Sequence, residues 1–203
     1  MWMWTQFPCS ERGTEGAMVE IVEYGDPILR KKAKKVRRIT KEHKRLADLM
    51  VEVIREAPAL GVSAPQLGVS ERVIAASADE KEIYIVVNPR IVVMEGEQVG
   101  VEGCLSLPGL QGEVKRAGRV VVKGLDISGE PVEIEAEGLL ARVFQHEVDH
   151  LEGVLFIDRV LPGTLEWVIE DESAEGGYRT EPTTLEEALS YFERKARLRR
   201  GRL

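Results

Sequence analysis

The residues most able to do chemistry stand in the string QHEVDH, at positions 145–150. His146 and His150 are four positions apart, so on a helix both imidazoles project from one face. Two imidazoles placed in this way can bind one metal ion, and Glu147 beside the first can act as a base. The spacing therefore predicts a metal site with a proton acceptor on a single helix.

An apolar stripe leads up to these histidines. Leu139 and Val143 precede His146 and His150 at helical spacing, so the histidines continue a face that would point inward. Buried imidazoles need partners, and one metal ion satisfies both of them. We therefore expect the stripe to bury the metal ligands.

A third ligand is offered upstream by Cys104, in the string EGCLS at 102–106. One thiolate and two imidazoles leave one position of a tetrahedral ion open, which is typical of catalytic sites. A bound divalent ion lowers the pKa of a water molecule, whose proton Glu147 would take and later give to a leaving group. Each motif alone is weak, because HExxH occurs by chance and a single cysteine is more often a small core residue. Together they favour a metal site.

Three strings occur in the order that marks one family of enzymes. They are GVSAPQLG at 61–68, EGCLSLPG at 102–109 and QHEVDHLEG at 145–153. With them the chain resembles the peptide deformylases over residues 18–160. The first string departs from the family pattern twice, since Ala59 stands where a glycine is usual and Ser63 where an alanine is usual. Neither change removes a reacting group, although Ala59 alters how closely a substrate backbone can approach.

The resemblance implies a metal-dependent hydrolase that acts on a linear amide. It would remove formate from the N-formylmethionine that begins bacterial and organellar proteins, so its partners would be N-formylmethionyl peptides and nascent chains. Cys104, His146 and His150 would be the metal ligands, and Glu147 the general acid/base. The implied cofactor is one divalent ion, Fe²⁺, with Zn²⁺, Ni²⁺ or Co²⁺ as substitutes that suit the same ligands.

The resemblance also assigns residues around the reacting groups. The side-chain amide of Gln66 and the backbone N–H of Leu105 would stabilise the oxyanion that forms at the formyl carbon. Leu60 and Gly61 would pair with the substrate backbone as with an added strand.

An apolar pocket for the methionine side chain would draw on Leu139, Val143 and the helix face near His146. The direction in which the neighbouring Arg142 points stays open.

The patterns of the rest of the chain predict an α+β fold, in which antiparallel β-sheets pack around the central helix that carries HExxH. Thr40 is typical of an N-cap for a helix that reaches about Ala57. Residues 83–87, 91–94, 119–127 and 132–135 have the composition of strands. The metal helix is predicted over residues 137–152, with Gly153 ending it.

We expect four segments along the chain. Residues 1–17 are expected to be a disordered lead without periodicity, 18–162 the catalytic domain, 163–182 an insertion or flexible loop, and 183–203 a basic amphipathic C-terminal helix. The apolar stripe of that helix is Leu185, Ala188, Leu189, Phe192 and Ala196.

Charge is unevenly placed along the chain. Residues 193–203 carry six basic and one acidic residue within a chain of net charge −7, and a second basic run covers residues 30–45. Most such runs are solvated faces. The resemblance offers a second interpretation, because the C-terminal helix of bacterial deformylases docks on the ribosome, where phosphate contacts would hold basic side chains.

Composition is consistent with an enzyme of the cytoplasm. The chain has 203 residues and 43% hydrophobic residues, without an apolar run long enough to cross a bilayer. Cys104 is assigned to metal and Cys9 stands in a polar stretch, so there is no disulfide framework and a reducing compartment is favoured. The sequence leaves the oligomeric state open.

Two alternative functions fit the sequence less well. A diverged relative retained mainly as a ribosome-associated binding protein, with weak or altered activity, would have no need of all the intact reacting residues. A metalloprotease is disfavoured because HExxH proteases usually take their remaining ligand from downstream, whereas Cys104 stands upstream.

Overall fold

The computed structural model describes residues 20–57, 59–79, 81–174 and 176–200, the last without the side chain of Arg200. The lead predicted for residues 1–17 lies outside these ranges. Within them the chain forms three α-helices and nine β-strands whose pairings are all antiparallel. The predicted α+β fold is confirmed.

The helices and strands have the following bounds. The helices are α1 (Lys41–Glu56), α2 (Gly138–Leu151) and α3 (Leu185–Arg200). The strands are β1 (Gly61–Ser63), β2 (Val73–Ala76), β3 (Tyr84–Glu95), β4 (Gln98–Gly103), β5 (Leu110–Arg116), β6 (Arg119–Leu125), β7 (Pro131–Glu137), β8 (Glu166–Glu170) and β9 (Tyr178–Pro182). One sheet has the order β1-β2-β3-β6-β7 and the other β4-β5-β8-β9. Strands β1 and β4 are therefore edge strands.

The five-stranded sheet lies between α1 and α2. Because side chains alternate along a strand, Ile74 and Ala76 of β2 face one side and Val73 and Ala75 the other. The first pair is buried with residues of α2 such as Phe144, and the second pair with residues of α1. Burial on both faces accounts for the apolar run of β2, and it holds α2 rigidly against the sheet.

The two predicted strands at 83–87 and 91–94 are parts of one strand, β3. Its pairing with β6 shifts register between Val87 and Arg90, where Asn88 has a positive φ of 53°. The side-chain amide of Asn88 accepts from Val36 N–H and donates to Val36 C=O, both over 2.9 Å. The sequence shows a break at this point because Pro89 follows, whereas the structure bridges it with a β-bulge.

The segment 163–182, expected as an insertion or a flexible loop, contains a β-hairpin. Strands β8 and β9 pair from Glu166↔Pro182 to Glu170↔Tyr178, and β8 continues the sheet by pairing with β5. Trp167 packs against Tyr191 and Phe192 of α3. The segment is therefore not a loop throughout: Asp171, Glu172, Gly176 and Gly177 lie between the two strands, whereas Glu166, Glu170 and Glu181 lie within them.

The predicted C-terminal helix is α3, and its apolar stripe packs on the domain. Ala188, Phe192 and Ala196 are buried, whereas Leu185 is 43% exposed in the first turn. Phe192 contacts the ring of Tyr24 near the start of the described chain. No helix within the described ranges has the length and apolar character that crossing a membrane would need.

Candidate active site

Two elements bring the predicted metal ligands together. His146 and His150 lie on the buried face of α2, and Cys104 follows the last residue of β4. The Nε2 atoms of the two histidines are 3.2 Å apart, and Cys104 Sγ lies 3.3 Å from His150 Nε2. All three ligand atoms fall within 4.8 Å of one another.

The donor set fits a divalent metal ion. Two imidazole nitrogens bound to one tetrahedral ion at its usual bond lengths are about 3.3 Å apart, close to the separation of the two Nε2 atoms. Within the described residues, Nδ1 of His150 is buried without a hydrogen-bond partner. The three atoms that face one another, Cys104 Sγ and the two Nε2 atoms, are arranged as a metal would require.

Glu147 lies beside this group and is buried with it. Its Oε2 has no hydrogen-bond partner among the described residues. Burial raises the pKa of Glu147 to about 7, because removal from water disfavours the charged carboxylate. A carboxyl group in this state can both take and release a proton near neutrality.

The side chain of Gln66 is oriented by Ser63, one of the two departures from the family pattern. Both the backbone N–H and the hydroxyl of Ser63 donate to Gln66 Oε1 over 2.9 Å. The amide nitrogen is thereby turned toward Cys104, and Nε2 donates to Sγ over 3.4 Å. The Ser63 hydroxyl thus adds a second hydrogen bond to the side-chain carbonyl of Gln66, which already accepts one from the Ser63 backbone N–H.

A cleft opens over these groups between the two edge strands. Leu60 and Gly61 line it from the β1 side, and Val101 and Gly103 line it from the β4 side. Leu105 lines it as well, and no acceptor for its N–H lies among the described residues. Edge strands present unpaired backbone groups, so an extended peptide can pair with them.

The structure brings together most of the residues that the sequence singled out, with one exception. Val143 is buried and lines the cleft. Leu139 is 37% exposed and does not line it, although Ala141 in the same first turn of α2 is buried. Arg142, whose direction was open, lines the cleft in its place.

Sequence reasoning missed the charged groups behind the ligands. Glu102 is 6% exposed, and its Oε2 lies 2.9 Å from His146 Nδ1. Arg116 donates to both carboxylate oxygens of Glu102 over 2.9 Å and also to Asp149 of α2. Burial alone would raise the pKa of Glu102, but hydrogen bonds from His146 and Arg116 hold it well below its usual range. The signal in the sequence that could have revealed them is Glu102, the one charged residue of the string EGCLSLPG at 102–109.

The fold and the Cys–His–His group are those of a metal-binding hydrolase. The sequence model of the polypeptide deformylase family matches residues 18–165, and the chain belongs to that family. It is therefore a hydrolase that removes the N-formyl group from nascent peptides, as the resemblance implied.

Individual relatives agree with this membership. The chain is 50% identical to the peptide deformylase of Halothermothrix orenii over 145 residues, which cover 71% of this chain and 94% of that protein. The crystal structure of the peptide deformylase from Thermus thermophilus superposes with a TM-score of 0.72 at 41% identity, covering 87% of this chain and 98% of that one. The Thermotoga maritima structure gives 0.69 at 41% identity, covering 72% and 100%.

Proposed function

We propose that Cys104, His146 and His150 bind one Fe²⁺ ion, and that this site deformylates N-formylmethionyl peptides. The single observation that carries the proposal is the convergence of these three donors beside the unpartnered carboxyl of Glu147. One thiolate and two imidazoles also accept Zn²⁺, Ni²⁺ or Co²⁺, so the native ion is decided by geometry and supply. A bound ion supplies Lewis acidity, which activates a water molecule and polarises the formyl oxygen.

Glu147 is the proposed general acid/base. The buried Oε2 accepts a proton from the attacking water as oxygen adds to the formyl carbon. The same carboxyl returns that proton to the amine nitrogen as the C–N bond breaks, so that formate and a free amino terminus leave. A group that has no competing hydrogen bond is suited to both transfers.

Gln66 Nε2 and the N–H of Leu105 are the proposed donors to the oxyanion. Ser63 holds the Gln66 amide with its nitrogen toward the cleft, so the donor is in place before charge develops. Fixed donors of this kind are each worth about 3 kcal/mol of transition-state stabilisation.

The substrate backbone is proposed to lie along the β1 edge at Leu60 and Gly61, in an extended conformation. The methionine side chain would contact Val143 and the aliphatic part of Arg142, both of which line the cleft. Leu139, which the sequence placed in this pocket, is left out because of its exposure.

A contact with the ribosome is proposed for α3, and a cytoplasmic location for the protein. Arg194 and Arg197 are exposed on α3, and neither has a carboxylate within ion-pair distance among the described residues. Arginines that have no carboxylate partner are suited to phosphate contacts. The absence of a disulfide framework in the sequence supports a reducing compartment.

The proposed function is tested by formate release. Protein prepared without oxygen and loaded with Fe²⁺ is given a formyl-Met peptide, and formate and bound metal are both measured. We expect one equivalent of metal and steady formate release. Protein that binds metal but releases no formate would contradict the proposed reaction, and protein that binds none would contradict the ligand assignment.

Two variants separate the proposed roles. Cys104→Ser replaces a thiolate with a much weaker ligand, so both metal content and turnover should fall. Glu147→Gln keeps the shape of the side chain but cannot take a proton, so metal should stay while turnover falls by about 10²-fold. Full metal content in the first variant, or normal turnover in the second, would remove that residue from its role.

A further inference from the structure

The side chain of Arg142 connects the two elements that carry the metal-binding group. It projects from α2 onto β4 and β5, where Nη1 donates to Gly100 C=O over 3.2 Å, to Glu102 Oε1 over 2.7 Å and to Val114 C=O over 2.9 Å. Nη2 donates to Gln98 C=O over 3.4 Å. One guanidinium thus fixes the helix of the histidines against the strand that ends beside Cys104.

Arg142 and His146 approach the same carboxylate from one helix. They are four residues apart, so they lie on neighbouring turns of one face. Arg142 donates to Oε1 of Glu102, whereas Oε2 lies 2.9 Å from His146 Nδ1. A carboxylate held in this way fixes the orientation of the imidazole, and its partners matter for metal affinity nearly as much as the ligands do.

Gly100 provides the space for this guanidinium. A Cβ atom built at Gly100 would lie 3.1 Å from Arg142 Nη2 and 3.3 Å from Cζ. Such a contact is tighter than ordinary packing, so a side chain at Gly100 would displace the guanidinium by a few tenths of an ångström. The glycine and the arginine are therefore a matched pair.

We propose that Arg142 is a positioning residue for the metal group, seated over Gly100 and acting through Glu102 on His146. The inference rests on the proposed metal ligands. It goes beyond them because none of the hydrogen bonds that Arg142 makes within the described residues goes to Cys104 or to the two histidines, and it binds the β4 backbone in addition to the carboxylate. Arg116 also pairs with Glu102, but from β5 and not from the helix of the histidines.

The test measures how fast the protein loses Co²⁺. Co²⁺ is loaded into the protein, its visible absorption reports the thiolate and imidazole ligands, and an excess of chelator starts the release. Arg142→Met should release Co²⁺ about tenfold faster than the wild type, in the range found when partners of metal ligands are removed. The matched control is Arg119→Met, which also removes an arginine that is paired with carboxylates, here with Glu95 and Glu135, but at the surface and away from the site.

The outcomes separate the two proposals. Faster release from Arg142→Met than from Arg119→Met supports the positioning role. Equal release from these two variants overturns it while leaving the metal ligands in place. A wild-type protein that binds no Co²⁺ overturns the proposed ligands and this inference together.

Gly100→Ala provides a second and milder test, which can still be measured if Arg142→Met does not fold. The added methyl group should speed the release of Co²⁺ severalfold by moving the guanidinium. In an Arg142→Met background the same substitution should have no further effect, because the group it displaces is gone. If Gly100→Ala releases Co²⁺ at the wild-type rate, the proposal that Gly100 makes room for the Arg142 guanidinium is overturned. It is overturned as well if the effects of the two substitutions on the release rate are fully additive in the double variant.

Discussion

Single atoms decide how closely the general acid/base and the substrate backbone approach each other in this site. Gly61 lies directly against Glu147, and a Cβ atom built there would come within 2.5 Å of Oε1 and 2.8 Å of Val143 Cγ1. The glycine is required here by space. It allows the β1 backbone, along which we propose the substrate to lie, to pass close to the carboxyl group.

Gly61→Ala should therefore lower turnover through Glu147. The methyl group must push the carboxylate away from its present position, so kcat should fall by about tenfold or more, the cost of disturbing a general acid/base. Metal content, measured on the same sample, should not change. Gly118→Ala is the control, because a Cβ there meets only ordinary contacts of 3.6 Å and beyond. Equal kcat values for the two variants would contradict the proposed role of this close approach.

The residues proposed to react could be singled out from the sequence, but the groups that hold them in place could not. Cys104 and His146 stand in strings whose residue types carry their own chemical meaning. The partnership of Glu102 with His146 and Arg116 depends on how β4, β5 and α2 come together, and no spacing within one element encodes it. The exposure of Leu139 was missed for a related reason, since helical spacing gives a face but not the depth of each turn in the core.

At the scale of elements, the helices were predicted well because their apolar residues recur with a strong period, whereas strands β4 and β5, which contain glycines, lack a clear pattern. Thr40 was predicted as the N-cap of α1 and occupies that position, where its N–H donates to His43 Nδ1. Strands β4 and β5 went unpredicted because Gly100, Gly103 and Gly112 interrupt their alternation. The glycines have local uses instead, as Gly100 does for Arg142. The edges that form the cleft are thus the part of the fold least visible in the sequence.

Helix α3 is part of the domain core rather than an appendage. Phe192 is 1% exposed and belongs to the buried cluster that contains Leu107, Leu155 and Phe156. Its ring lies 5.6 Å from that of Trp167, measured between centroids. The hairpin and the helix therefore stabilise each other.

Phe192→Ala should destabilise the protein by about 3–5 kcal/mol, the usual cost of truncating a buried phenylalanine. Urea unfolding followed by circular dichroism measures the loss. The neighbouring Tyr191→Ala is the matched control, because Tyr191 is 44% exposed and its truncation should cost much less. Similar losses for both variants would show that α3 is held only at its surface.

At the scale of the whole molecule, positive charge is concentrated in two stretches of an acidic chain. Residues 30–45 carry ten basic residues and one acidic residue, and the C-terminal residues 193–203 carry six and one, in a protein of net charge −7. Part of the second stretch is used internally, since Lys195 and Arg199 both pair with Glu23. Among the described side chains of α3, the exposed Arg194 and Arg197 have no carboxylate partner and are proposed to meet an outside partner.

The double variant Arg194→Glu, Arg197→Glu tests the proposed ribosome contact without removing the buried part of α3. Each arginine that meets a phosphate releases counterions, so losing two such contacts should reduce the slope of log affinity against log salt by about 1.5. Co-sedimentation with ribosomes across a salt series measures this, and the loss should be largest at low salt, where screening is weakest.

The control variant carries the same charge change elsewhere, as Arg55→Glu with Lys81→Glu. Both residues are exposed, on α1 and before β3, and neither has an ion-pair partner among the described residues. If a solvated face were all that α3 offers, both double variants would sediment as the wild type does. If general attraction between exposed basic side chains and the ribosome were the cause, both double variants would lose binding alike. Only a contact made by α3 itself would lower the ribosome binding of the first double variant and not that of the control. Turnover on a short formyl peptide needs neither surface, so it should stay at the wild-type rate in both double variants.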